Sequence, residues 1–186
     1  MTRDVGPVSV TCVPYAADGW GVGELWLEGT RLVWHELPRP SRMPHPGVGS
    51  NAGPLASTVP LKPTRRGHES VPNAQHLVLK LEAYFRGERV AFEDVELDTD
   101  GWTPFQEDVA AALRGVPYGE VVSYSDLAGL AGHPRAQRAA GTFCARNRFP
   151  LILPCHRVVG ATGIGSYGSL GVDYKRRLLA LEGVAL

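Results

Sequence analysis

The chain has 186 residues, 44% hydrophobic and 20% charged, and its 19 Lys+Arg balance 19 Asp+Glu, so the formal net charge is zero. That length builds one large domain or two small ones with a real core, and the balance excludes a protein that holds polyanions by global charge. No apolar run reaches the roughly 18 residues of a membrane span, Met1–Pro7 lacks a signal-peptide core, and Cys12, Cys144 and Cys155 have no framework spacing, so a cytoplasmic protein with free thiols and no membrane partner is expected.

The first third reads as β structure. Val8–Val13 is short and β-branched, and Glu24–Leu27 and Arg31–His35 flank Glu28-Gly29-Thr30, the pattern of a hairpin. From Glu36 to Asn73, eight of 38 residues are proline. Proline lacks the N–H that helices and ladders need, so a loop is predicted over 36–73, with Arg39, Arg42, Lys62, Arg65 and Arg66 solvated. Asn73 is the predicted cap of a helix whose Leu77, Leu81 and Phe85 form one apolar stripe, stopping near Gly87. Glu88–Leu97 suggests another strand. The turn cluster Asp98-Thr99-Asp100-Gly101 marks a boundary between a first domain over 1–98 and a second over 99–186.

The second unit is better punctuated. Thr103-Pro104-Phe105-Gln106 is a capping box with proline at the first helical position, Phe105, Val109 and Leu113 form the buried stripe, and Gly115 ends the helix. Ser123-Tyr124-Ser125-Asp126 starts a short helix that stops at Gly132, and Pro134 starts another that runs to Arg146. Two short helices joined by Gly132-His133 make a helix-turn-helix pattern. In the second of them Ala136, Ala139, Ala140 and Gly141 leave one side nearly bare beside Arg135 and Arg138. Such a face admits a phosphate backbone or groove, and it equally fits an Ala-rich core helix with solvent-facing arginines. Residues 1–100 carry 10 basic and 13 acidic side chains, residues 101–186 carry 9 and 6, and Arg135, Arg138, Arg146, Arg148 and Arg157 follow one another without an acid between them. A basic patch is thus hidden by the average. Glu182-Gly183 closes a last helix carrying Leu178, Leu179 and Leu181.

The chemical signal is Pro154-Cys155-His156-Arg157-Val158-Val159. A cysteine beside a histidine suggests a thiol nucleophile, since imidazole can take its proton. In an extended segment neighbouring side chains point to opposite faces, so the pair needs a bent backbone or a bridging water. A thiol of ordinary pKa is only a few per cent ionised at neutral pH, and the arginine cluster is expected to favour the thiolate. By spacing alone, a buried structural cysteine remains the other reading.

This motif, with Asn147 before it, a Tyr-Gly segment after it and Glu182-Gly183 at the end, resembles the O6-alkylguanine-DNA alkyltransferases, the methylated-DNA–protein-cysteine methyltransferases. The likeness runs from Thr103-Pro104-Phe105-Gln106 through Val116-Pro117-Tyr118-Gly119-Glu120-Val121-Val122-Ser123-Tyr124 and Arg138-Ala139-Ala140-Gly141 to Glu182-Gly183. It implies an α/β (α+β) fold, with a small ribonuclease-H-like first domain and a mostly helical second domain holding the helix-turn-helix. It also implies irreversible, once-only transfer of an alkyl group from guanine O6, or from O4-alkylthymine, in double-stranded DNA to Cys155. His156 matches the base acting through a water, Glu182 the carboxylate orienting it, and Tyr124 the tyrosine that hydrogen-bonds the flipped base. Asn147 matches the asparagine shaping the turn, the Val158 carbonyl the acceptor for the guanine amino group, and Tyr167, Gly168 and Ser169 the substrate-pocket loop.

Arg138 matches the arginine that fills the base stack after flipping, with Ala139 and Ala140 close to the minor groove and Arg135, Arg146 and Arg148 on phosphates. The sequence departs from the family pattern at Ala110, often tryptophan, at Arg148, commonly proline, and in a slightly long Gly165–Tyr174. His35, His45, His68, His76 and Cys12 have no metal-like spacing, so neither zinc nor any cofactor is expected. With no dimerisation segment in view, a monomer is expected. A damage-binding relative without transfer is the alternative, although such proteins lack the acceptor cysteine. A helix-turn-helix transcription factor and a Cys-His hydrolase are more remote.

Overall fold

The computed structural model describes residues 10–40 and 72–186. Three strands, β1 (Val10–Ala17), β2 (Gly21–Glu28) and β3 (Arg31–Arg39), form an antiparallel sheet in the order β1-β2-β3. The Gly29-Thr30 hairpin lies where the sequence places it, with Glu28 opposite Arg31 and Gly29 at φ 58°. β3 outlasts the predicted strand by four residues, to Arg39. The prolines inside the strands, Pro14 and Pro38, both sit on edge strands, where a missing N–H removes no ladder bond on the open side. Val8 and most of the proline-rich segment lie outside the described residues.

Helix α1 (Pro72–Phe85) starts one residue ahead of the expected cap Asn73 and packs against β1. Its stripe is buried as predicted at Leu77, Leu81 and Phe85, and Tyr84 is buried with them. Glu88–Leu97 is not a strand. A turn at Glu93-Asp94, with the Val95 N–H on the Phe92 carbonyl at 3.1 Å, interrupts the alternation. Only Leu97 reaches the sheet, as a single bridge to Leu32.

The second half is helical. Helix α2 (Pro104–Arg114) carries the complete capping box at Thr103 and Gln106, with Gly115 at its end. Strand β4 (Val122–Ser123) leads into α3 (Tyr124–Leu130), itself capped by Ser123 and Asp126. The following helix, α4 (Gln137–Ala145), starts three residues later than predicted. The reason is Arg135, whose φ of 80° breaks the helical path, so Pro134–Ala136 form a turn instead. Strand β5 (Val158–Val159) pairs in parallel with β4, and α5 (Gly171–Leu181) ends at Glu182. The mixed α/β class is as expected from the resemblance.

One connected set of buried residues runs from the sheet into the helices. The Arg177 guanidinium lies 3.7 Å from the Trp20 ring centre and donates to the Gly19 carbonyl at 2.7 Å. His35 pins β3 to the segment after α4. Its Nδ1 lies 2.7 Å from the Pro150 carbonyl and its Nε2 2.6 Å from the Tyr15 hydroxyl. A carbonyl only accepts, so Nδ1–H donates and Nε2 receives the Tyr15 proton, an arrangement that requires the neutral ring. Burial, only partly opposed by the Pro150 bond, lowers the His35 pKa from 6.5 to about 4. The unfolded ring therefore takes its proton first, and stability present above pH 6.5 is lost as pH falls toward 4. Urea unfolding is expected to give a His35 contribution about 2 kcal/mol smaller at pH 5 than at pH 7. The pH dependence should flatten by that amount in His35→Gln.

Candidate active site

The site begins where α4 stops. Asn147 ties the ensuing loop: its Oδ1 accepts the Phe149 N–H at 2.9 Å, and its Nδ2 donates to the Leu153 carbonyl at 2.8 Å and to Cys155 Sγ at 3.1 Å. The loop includes Leu151 at φ 72°, a left-handed conformation held by full burial of the side chain among neighbours. It then enters a single 3-10 turn at Cys155–Arg157, the bent backbone that was one of the two arrangements the adjacent pair required. With three residues per turn, Cys155 and His156 leave the backbone about a third of a turn apart. Pairing of β5 with β4 sets Tyr124, the first residue of α3, beside this turn.

Behind Cys155 lies a fully buried ionic network. His156 Nε2 is 2.8 Å from Glu182 Oε1, while Arg157 donates from Nε to Oε2 at 2.9 Å and from Nη2 to Oε1 at 3.0 Å. The Gly119 N–H adds a bond to Oε2 at 3.2 Å. Burial by itself would raise the Glu182 pKa, but hydrogen bonds from His156 and Arg157 hold the carboxyl well below its usual range. A carboxylate acceptor fixes the His156 proton on Nε2, which leaves Nδ1 as the lone-pair nitrogen, buried and without a partner. Burial keeps His156 neutral by lowering its pKa, against the pull of Glu182.

Burial also raises the Cys155 pKa, opposed by the Asn147 bond and the Lys175 charge. The resting sulfur is therefore a thiol that needs a base. Arg157 spends its charge on Glu182 and the Val116 carbonyl, so the expected direct help from the arginine cluster is replaced by Lys175. This lysine is wholly buried and donates from Nζ to the Val158 carbonyl, the atom expected to meet a base amino group, at 2.6 Å.

In front of Cys155 is a cavity of about 330 Å³, lined by Tyr124, Asn147, Cys155, Tyr167, Gly168 and Ser169 and closed on one side by Trp34–Leu37 and Arg39 of β3. Eight of the expected site residues thus converge, counting Arg146, which also lines the cavity, and His156 immediately behind. The Tyr167 hydroxyl is buried, and Ser169 Oγ accepts from Arg39 Nη2 at 3.0 Å. Burial raises the pKa of Tyr124, so its phenol stays a donor. Cys144 is a buried core residue whose thiol burial pushes up to about 12.

The expected DNA-contacting residues divide. Arg138, Ala139 and Arg146 are exposed on or just after α4 and Arg135 is exposed in the turn before it. Ala140 is fully buried and faces the core with Phe143 and Cys144, because the face that packs on α3 recurs at the helical period. Arg148 is likewise engaged inward, donating to the Asp98 carbonyl at 2.9 Å and stacking over the Phe149 ring at 5.1 Å. Both residues make packing contacts in this structure. Among the described residues no cluster of His, Cys, Asp and Glu is placed to hold a metal ion, and no helix is long and apolar enough to cross a membrane.

Two participants were missed by sequence reasoning, Tyr84 and Lys175, together with the pairing of Arg157 with Glu182. Tyr84 donates to Glu182 across 98 residues of chain, and Lys175 looks like an ordinary polar residue of an amphipathic helix. Tyr84 stands three residues after Leu81 and seven after Leu77, a helical spacing that marks a buried position, but nothing local marks its partner.

Comparisons with known proteins agree with this geometry. A family model described as 6-O-methylguanine DNA methyltransferase, DNA binding domain, matches residues 104–184. The chain is 49% identical over 105 residues, 56% of its length and 65% of the relative's, to the methylated-DNA–protein-cysteine methyltransferase of Methanosarcina acetivorans. It is 44% identical over 140 residues, 74% of its length and 82% of the relative's, to the protein of the same name from Mycobacterium bovis. The crystal structure of Mycobacterium tuberculosis OGT in complex with DNA superposes with a TM-score of 0.70 at 34% identity, covering 94% of this chain and 93% of that one. With its acceptor-site geometry and these relatives on one chain, the protein belongs to the methylated-DNA–protein-cysteine methyltransferase family.

Proposed function

We propose that this chain repairs double-stranded DNA by moving the alkyl group of O6-alkylguanine onto Cys155 Sγ, once per molecule. The observation that carries the reading is the thiol at the cavity floor with neutral His156 and the Glu182 carboxylate behind it. In the reaction the S–C bond forms as the C–O6 bond breaks. The thiol proton passes to His156 Nδ1 through a water, and the departing guanine anion takes the Tyr124 phenol proton; the imidazolium then returns its proton through solvent to the Tyr124 phenolate, so in net one proton moves from sulfur to the released guanine. The product is a thioether, with no cheap return to thiol.

A base inside a duplex hides its O6, so the nucleotide has to be extruded into the cavity. The exposed face of α4, with Arg138, Ala139, Thr142 and Arg146, suits close approach to the minor groove, and Arg138 suits the gap left in the stack. Arg135 and Arg146 would add phosphate contacts that weaken with salt. We further propose that the protein works in the cytoplasm, a reducing compartment that keeps the Cys155 thiol available for transfer.

Intact-protein mass spectrometry after incubation with a duplex carrying one O6-methylguanine tests the reading. Gain of one methylene mass on the Cys155 peptide, stopping at one per protein, is expected. No gain with lesion-selective binding intact would replace transfer by damage sensing. Arg138→Ala is expected to slow repair in duplex by at least tenfold while leaving reaction with free O6-benzylguanine nearly unchanged, as read by single-turnover kinetics, because only the duplex reaction requires the stack to be opened. Equal slowing of both would remove the base-flipping role.

A further inference from the structure

We propose that Tyr84, in α1 of the first unit, is a positioning residue for the transfer reaction: its hydroxyl shares Glu182 Oε1 with His156 and so limits how strongly the carboxylate draws on the imidazole. The inference rests on the alkyl-transfer reading above. Tyr84 is 1% exposed, and its hydroxyl donates to Glu182 Oε1 at 2.6 Å while lying 3.3 Å from His156 Nε2. Oε1 thereby receives three donors, from Tyr84, His156 and Arg157. An ionised carboxylate oxygen offers about two lone-pair directions. The three donors therefore compete, and the Tyr84 bond is the shortest of them.

The consequence falls on His156. If Glu182 gave its full charge to the imidazole, the imidazolium would be favoured, Nδ1 would carry a proton, and the ring could not take one from Cys155. A neutral donor on Oε1 spends part of that charge and keeps the base in its working form. The phenol oxygen could also accept from Nε2–H, which would act the other way. At 3.3 Å that contact is much weaker than the 2.6 Å bond to Glu182, so the attenuating effect wins.

The other charged or titratable groups facing this cluster are Arg157 and Lys175, which lower the His156 pKa, Tyr118, whose ring meets that of Tyr84 edge-on at 6.2 Å, the buried Tyr167 phenol, and the Cys155 thiol. None of them shares Oε1 with His156 except Arg157. Phe85, the next residue, fills its own place in the same core with no polar atom, so aromatic packing alone does not require a hydroxyl at position 84.

The test is Tyr84→Phe in the full chain, with two readouts. Histidine-labelled NMR titration reports the His156 midpoint whether or not alkyl is transferred, and the rate of Cys155 alkylation by free O6-benzylguanine is followed against pH. Both the His156 midpoint and the acid limb of the rate profile are expected to move up together by about half to one pH unit. A folded variant in which neither moves would reduce Tyr84 to packing and overturn the proposal. If Tyr84→Phe does not fold, 3-fluorotyrosine at position 84, a stronger donor, is expected to shift both midpoints down, and no shift overturns the proposal equally. Should the wild-type chain take no alkyl group at all, the transfer reading fails, and the NMR titration still decides the role of Tyr84 in the network.

Discussion

Cys155→Ala is expected to take up no alkyl group from either duplex or free base, while binding an O6-methylguanine duplex as well as the wild-type chain. The sulfur is the only atom removed, and Asn147 Nδ2 keeps its bond to the Leu153 carbonyl, so the loop retains its main tie. The loss in stability should stay near 1 kcal/mol, the ordinary cost of a small truncation. Intact mass and electrophoretic mobility on lesion-bearing DNA read the two arms separately. Loss of binding along with transfer would make Cys155 a structural residue.

Glu182→Ala should be the most destabilising single change in the site. It strands Arg157 and His156, whose side chains are nearly or wholly buried, and it removes the acceptor of the Tyr84 hydroxyl. Removing one partner of a buried ion pair costs about 3–5 kcal/mol, because the charge left behind is neither solvated nor paired. Urea unfolding at pH 7 measures this. The pH dependence has a definite sign: the folded carboxyl titrates well below its unfolded value of 4.5, so its contribution is present above that value and is lost as pH falls below it. The wild-type chain should lose stability in that acid range, and Glu182→Ala should lack this contribution.

Transfer should fail in the folded fraction of Glu182→Ala too, since nothing then holds the His156 proton on Nε2. The two variants thus separate the roles of the site. One removes the nucleophile from an intact frame. The other leaves the nucleophile in a frame that no longer orients its base.

Much of the second half was legible because its signals are local. The capping boxes at Thr103 and Ser123 satisfy orphan N–H groups within three residues, and Gly132 and Gly183 take the left-handed backbone that ends their helices. Elsewhere a distant contact overrode a local pattern. Glu88–Leu97 reads as a strand, yet it meets β3 only through the single Leu32–Leu97 bridge. Arg148 sits in the basic run, yet Asp98 and the Phe149 ring draw it inward. Ala140 belongs to the small-residue side of α4, yet its position in the helical period turns it to the core.

By itself the sequence determined the helix boundaries set by caps, the β2–β3 hairpin, and the Cys155-His156 nucleophile candidate with Glu182 at the end of α5. These depend on residues close in the chain or on a motif specific enough to mark a family. Only the tertiary structure decided that β3 of the first unit walls the cavity, that Lys175 rather than the arginines faces the thiol, and that Tyr84 joins Glu182. Those contacts join residues far apart in the chain, and their energies come from desolvating charges and hydroxyls together. Neither hydrophobic period nor motif spacing carries that information, because burial of a polar group is settled by the partner it meets.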